Sequence, residues 1–153
     1  MVIVIGASSF IGVYTVEELL KQGYEVLVTG RMNRFREHYE KLGVQYINLD
    51  LQNEGDFEGL PTESVEGVIL LSGLLPANVQ GRLDDSENAA DYFRINTIGT
   101  INVLEFCRKN DIERVIAASS YADVRHSWTG ERALTEDEPR GFNYVGDHAV
   151  YVI

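Results

Sequence analysis

Val2-Ile3-Val4-Ile5-Gly6-Ala7-Ser8-Ser9-Phe10-Ile11-Gly12 is four apolar residues in a row, a glycine-punctuated turn and the start of a helical pattern. An unbroken β-branched run with no polar alternation reads as a strand covered on both faces. Gly6 lets that strand turn tightly, and the small residues Ala7, Ser8 and Ser9 let the backbone come close to an anion. Gly12 lets the next helix pack against the sheet, and the helix start at Phe10 and Ile11 offers N–H groups to negative charge. Such a turn is a seat for a pyrophosphate, and the ligand it predicts is a dinucleotide.

Outward from this turn, strand and helix patterns alternate to the end of the chain. Strands are expected at Val2–Ile5, Glu25–Thr29, Val44–Asn48, Val68–Leu71 and Arg114–Ala118. Helices are expected at Phe10–Gln22, Arg34–Leu42 and, as one long element, Ser86–Lys109. In the first helix Phe10, Val13, Val16, Leu19 and Leu20 fall on one face while Glu17, Glu18 and Lys21 point away, and Gly23 supplies the C-terminal cap. Short connections between alternating elements give a doubly wound parallel α/β sheet in a single domain over 1–153. Tyr121–Val145 is polar, holds Trp128, Gly130, Pro139 and Gly141, and follows neither period. A loop of that length at the carboxyl edge of a parallel sheet is expected to face substrate.

Bulk properties exclude several classes. A net charge of −11 opposes a nucleic-acid partner or an anionic membrane surface. No run of 18 apolar residues is present to span a bilayer, and the apolar start lacks the basic flank of a signal peptide. The single cysteine, Cys107, lies in an apolar helical stretch; it reads as a packed thiol and suits a reducing cytoplasm. His38, His126 and His148 show no metal-ligand spacing with one another or with Cys107, so no metal is expected.

Six ordered segments over nearly all 153 residues resemble the extended short-chain dehydrogenase/reductase family, the NAD(P)-dependent epimerase/dehydratase group that acts mainly on nucleotide sugars. Gly6 and Gly12 match its G-x-x-G-x-x-G turn, with Ser9 in place of the middle glycine. Asp50-Leu51 resembles the pair beside the adenine ring, and Leu71-Ser72-Gly73 the small-residue turn under the cofactor. Asn96-Thr97-Ile98-Gly99-Thr100-Ile101-Asn102-Val103-Leu104 resembles the signature N-x-x-G-T-x-N-x-L. Val115-Ile116-Ala117-Ala118-Ser119-Ser120 resembles the strand leading to the catalytic serine, and Glu136-Asp137-Glu138-Pro139 the E-D-x-P before the active-site helix. The resemblance implies a Rossmann-type fold with Gly6, Ser8, Ser9, Phe10, Ile11, Gly12, Arg31, Asp50, Leu51, Leu71, Ser72, Gly73, Asn96, Ala118 and Tyr151 around the cofactor. At the end of the second strand an acid would bind the ribose hydroxyls of NAD, whereas an Arg would pair with the extra phosphate of NADP. Thr29-Gly30-Arg31 contains no acid, so NADP is favoured over NAD.

Catalysis in the family rests on Tyr-x-x-x-Lys. The Tyr moves the hydroxyl proton of the sugar, and the Lys lowers the Tyr pKa from about 10 and grips the ribose. Tyr151 fits the beginning of that helix, although its Lys would fall two residues beyond Ile153; Tyr144 with His148 four places on is the alternative pair. Ser120 is the nearest hydroxyl to the substrate-holding position, where Tyr121 stands in the best register. Dehydratases of the family resemble S-T-D-E there; Ser120-Tyr121-Ala122 lacks the acidic pair, which favours an epimerase or reductase. His126, Trp128 and Arg125 are candidate substrate contacts.

Three expectations follow. The chain is the cofactor-binding portion of a longer enzyme, able to bind dinucleotide weakly and not to turn over by itself. Its parent enzyme oxidises or reduces a sugar carbon of a nucleotide sugar, with a homodimer possible through the long helix. The alternative is a non-catalytic dinucleotide-binding or redox-sensing module.

Overall fold

The computed structural model describes residues 1–74, 89–119, 135 and 137. Five parallel strands, β1 Val2–Ile5, β2 Val26–Gly30, β3 Gln45–Asn48, β4 Gly67–Leu70 and β5 Val115–Ala117, form one sheet in the order β3-β2-β1-β4-β5. The first strand thus lies at the centre, with Val2 opposite Val26 on one side and Gly67 on the other. The strand order reverses between β1 and β4, and that is the position where an open parallel sheet leaves a crevice at its carboxyl edge.

Side-chain alternation divides the core into two layers. Ile3, Ile5, Leu27, Val68 and Leu70 pack on one face with Val103, Phe106 and Cys107 of helix α4 (Gly99–Lys109). Val2, Val4, Val26 and Val28 pack on the other with Val16 of helix α1 (Phe10–Lys21) and Tyr39 of helix α2 (Arg36–Lys41). All four β1 side chains are buried, as the continuous apolar run requires; each fully buried Val or Ile contributes about 1.5–3 kcal/mol. Cys107 is buried in the first layer, where burial pushes its thiol pKa up and removes the thiolate that reactivity needs.

Strands β2 to β5 fall within one or two residues of the expected bounds. The helices depart more. Arg34–Leu42 is a 3₁₀ turn, Asn33–Phe35, followed by α2. A second 3₁₀ segment, Glu54–Gly59, was not expected; it is held by Asn53, whose Oδ1 accepts from Gly55 N (3.2 Å), and it delivers Phe57 to the core. The long helix is composite, with α3 at Ala89–Tyr92, a π-helical stretch at Phe93–Ile98, and then α4; residues 86–88 lie outside the described set. Phe10 is a clear correction. It is 80% exposed rather than on the buried face, because at 3.6 residues per turn it shares a side with the exposed Ile11 and Tyr14 and not with the buried Gly12 and Val16, and its ring rests edge-on against Tyr14 at 5.3 Å.

Candidate functional site: a cleft at the carboxyl edge of the sheet

Because every strand runs the same way, the loops after β1, β2, β3 and β4 emerge on one edge. They enclose a cleft of about 580 Å³. The floor is the turn after β1. Gly6 (φ +85°) and Ala7 both donate backbone N–H groups to Thr29 O, at 3.2 and 3.1 Å, so the turn is fastened to β2. Ser9 N donates back to Gly6 O (3.0 Å), which closes the turn.

Ser9 has a definite task in place of the glycine that the motif would carry. Its backbone is extended (φ −79°, ψ 163°), a conformation that needs no glycine, and its Oγ accepts from Gly12 N at 3.0 Å as the N-cap of α1. The N–H groups of Phe10 and Ile11, in the first two helical positions, have no intrahelical acceptor and carry the positive end of the helix dipole. Gly12 is buried; a Cβ there would stand 2.6 Å from Gly6 O and 2.7 Å from Ala7 Cα and O. The helix therefore sits directly on the turn.

The turn is also braced from beneath. Tyr39, fully buried, donates its hydroxyl to Ala7 O at 2.6 Å. Burial, with Tyr46 and Glu17 nearby, pushes the Tyr39 pKa from 10.0 up to about 12. The folded chain holds this proton more tightly than the unfolded one, so the contribution is complete below pH 10 and is lost as pH rises from 10 toward 12. Stability measured by denaturant across that window is expected to fall, and Tyr39→Phe to flatten part of the fall while lowering stability by about 1–2 kcal/mol at pH 7 through the orphaned Ala7 carbonyl. A Tyr39→Phe variant with the same alkaline slope as the wild type would show that another group carries it.

The sides of the cleft come from the other loops. After β3, Asp50 N donates to Asp56 Oδ2 (2.8 Å) and Asp50 Oδ1 accepts from Gln52 N (3.0 Å). After β4, Leu71 N donates to Ile5 O at 2.8 Å and carries the chain into Ser72-Gly73-Leu74. The composite helix ties these two loops together. Asn96, in the π-helical stretch, accepts from Leu74 N at 2.7 Å and donates to Leu74 O at 3.1 Å. Asn102 Nδ2 donates to Leu51 O at 2.8 Å, and Gly99 lies so close to Leu51 that a Cβ would stand 2.8 Å from the leucine's own. Within the described residues these three signature positions brace loops.

Of the residues expected around a cofactor, Gly6, Ser8, Ser9, Phe10, Arg31, Asp50, Leu51, Leu71, Ser72 and Gly73 line the cleft. Ile11, Gly12, Asn96 and Ala118 are not among its lining residues: Ile11 and Gly12 belong to the helix start, Asn96 holds Leu74, and Ala118 N extends the β4–β5 ladder to Leu70 O at 2.9 Å. Ser120, Tyr151, Tyr144 and His148 lie outside the described residues, as do His126, Trp128 and Arg125. Thr29, Gly30, Met32, Arg34, Leu49, Leu74 and Ile95 also line the cleft and were missed; most sit one or two places from expected residues, and that adjacency was the available signal. Among the described residues Thr29 Oγ1 is a buried hydroxyl without a partner.

The sequence model of the NAD dependent epimerase/dehydratase family matches residues 2–148. The chain belongs to that family. UDP-glucose 4-epimerase of Pisum sativum is 29% identical over 131 residues, 78% of this chain and 36% of that protein. The decarboxylating sterol-4-alpha-carboxylate 3-dehydrogenase of Mus musculus is 32% identical over 136 residues, 89% of this chain and 34% of that protein. The crystal structure of the UDP-glucose 4-epimerase of Thermus thermophilus in complex with NAD superposes with a TM-score of 0.74 at 25% identity, covering 92% of this chain and 44% of that one. The chain therefore spans between a third and a half of the length of these family members. No helix among the described residues is long and apolar enough to cross a membrane.

The chain's own residues fit a dinucleotide. Gly6 and Gly12 let the turn pack backbone to backbone against the β4 loop and the helix start, and the small residues Ala7, Ser8 and Ser9 follow Gly6. The first turn of α1 presents N–H groups without intrahelical acceptors, and Arg31 and Arg34 add two cations to a molecule of net charge −11.

Proposed function

We propose that this chain is the cofactor-binding portion of an NAD(P)-dependent epimerase or reductase acting on a nucleotide sugar. The observation that carries the reading is the cleft, whose floor is a glycine turn leading into a helix N-terminus at the point where the strand order reverses. The bound dinucleotide would supply hydride acceptance and return at a sugar carbon. Phe10 and Ile11 N–H groups would hold its pyrophosphate, Asp50 and Leu51 would flank its adenine, and Leu71-Ser72-Gly73 would run beneath it, with Arg31 favouring NADP over NAD. Tyr151 would move the proton of the reacting hydroxyl and Ser120 would hold that hydroxyl in place. Likeness to the pea UDP-glucose 4-epimerase supports the sugar-nucleotide class of substrate.

Two measurements test this. Titration with NADH and NADPH, followed by cofactor fluorescence, is expected to show saturable binding; absence of binding by either defeats the reading. In enzyme that turns over a UDP-sugar, Tyr151→Phe is expected to lower kcat on the order of 100-fold or more with dinucleotide affinity within about twofold of wild type, the usual scale for a lost acid–base group. An unchanged kcat would move the proton role to Tyr144.

A further inference from the structure

The β2 end of the cleft is shaped by a residue that does not line it. Gly30 closes β2 and is buried, and a Cβ built on it runs into the Tyr46 hydroxyl, with Tyr46 Cζ and Ser8 Oγ each 3.2 Å away. Tyr46 is not free to yield. It is 4% exposed, its ring stacks on Tyr39 at 6.1 Å between centres, and the Arg36 guanidinium sits 5.0 Å from its ring centre. Its hydroxyl donates to Met32 O at 2.7 Å, and Arg36 Nη1 donates to Tyr46 O at 2.9 Å. The tyrosine is therefore clamped by its ring, its hydroxyl and its backbone, and position 30 has to stay bare.

That bareness has chemical consequences. A carboxylate at the end of the second strand accepts both hydroxyls of the adenine ribose, which is how such folds hold NAD. With Tyr46 filling the space beside Gly30, no side chain can begin there. Cations take the position instead. Arg31 and Arg34 are exposed and line the cleft, and neither forms an ion pair with any other described residue. Arg36 is spent on Tyr46 O, Asn48 Oδ1 and Asn33 Oδ1. The carboxylate among the described lining residues is Asp50, which follows β3 and whose Oδ1 is committed to Gln52 N. Two guanidinium groups with no competing carboxylate at the β2 end suit a phosphomonoester, which arginine can bind with two parallel hydrogen bonds.

We propose that Tyr46 is the specificity-determining residue for the cofactor: by occupying the space beside Gly30 it bars an acidic ribose clamp and commits this end of the cleft to a 2′-phosphorylated dinucleotide held by Arg31 and Arg34. The proposal rests on the dinucleotide reading of the cleft, and its test separates the two. In wild-type protein, titrations are expected to give NADPH an affinity at least tenfold above NADH, and 2′,5′-ADP is expected to compete where 5′-ADP does not. Arg31→Ala is expected to erase most of that ratio. Gly30→Ala is expected to lower Tm by about 4 °C or more in the wild-type background and by less than half as much in Tyr46→Phe, where the obstructing oxygen is gone. Gly30→Asp combined with Tyr46→Phe is expected to invert the ratio toward NADH. Equal wild-type affinity for NADH and NADPH, or an equal Gly30→Ala penalty in both backgrounds, would overturn the assignment. Binding of neither dinucleotide would remove the cofactor reading and the preference with it, yet the Tm comparison would still report whether Tyr46 excludes side chains at position 30.

Discussion

Gly12→Ala is expected to destabilise the chain by about 3 kcal/mol and to abolish measurable dinucleotide binding. One methyl group has this effect because all three atoms it would meet are backbone: Gly6 O at 2.6 Å and Ala7 Cα and O at 2.7 Å. No rotamer change relieves such contacts, so α1 must move away from the turn, at the upper end of the usual cost of overpacking. Lifting the helix also displaces the first-turn N–H groups of Phe10 and Ile11 relative to the β1 turn and breaks the bond from Gly12 N to Ser9 Oγ. The denaturation midpoint and a cofactor titration are the measurements; a Gly12→Ala protein with wild-type values of both would show that the helix does not rest on the turn.

Gly6→Ala is expected to act as strongly by a different route. Gly6 has φ +85°, which costs an L-residue roughly 1–2 kcal/mol by itself. In addition, its Cβ would stand 2.6 Å from Ser72 N, 2.8 Å from Ser72 Cα and 2.9 Å from Leu71 C. The methyl group would therefore wedge the β1 turn away from the β4 turn across the crevice itself. The expected result is a total loss near 3 kcal/mol with dinucleotide affinity reduced more than tenfold. Gly23→Ala is the built-in control, since Gly23 has nearly the same φ (+82°) but nothing within 4 Å. It should show the backbone penalty alone, with binding unchanged. If Gly6→Ala and Gly23→Ala cost the same, the contact with Ser72 carries no weight.

The sequence could reveal whatever depends on local pattern. An unbroken Val-Ile-Val-Ile run could be read as a central parallel strand because burial on both faces removes alternation, and the glycine turn could be placed at the cleft because a parallel sheet puts its carboxyl ends on one edge. Contacts between distant residues left no such trace. The Tyr39 hydroxyl meets Ala7 O across 32 positions, and Asn96 reaches Leu74 across 22. The π-helical widening at Phe93–Ile98 shares its apolar content with an ordinary helix, so a 3.6 period over Ser86–Lys109 could not expose it. Phe10 departs from the expected face because four residues, about one helical turn, separate it from the exposed Tyr14, while the buried side of the helix runs through Gly12 and Val16. Ser9 could be recognised as small, but its service as an N-cap depends on an extended backbone that only the three-dimensional turn defines.

The placement of β1 has a consequence for the order in which the protein can assemble. Of the five strands the central one is synthesised first, yet its registers join Val2 to Val26 and to Gly67, so its second flank stays open until 65 more residues have followed. At translation speeds of about 5–20 residues per second that wait lasts roughly 3–13 s. During it, one of the most apolar and β-prone stretches of the chain exposes an unpaired edge, the condition under which strands find wrong partners. The hinge of the whole sheet is thus also the segment with the longest need of protection on the ribosome.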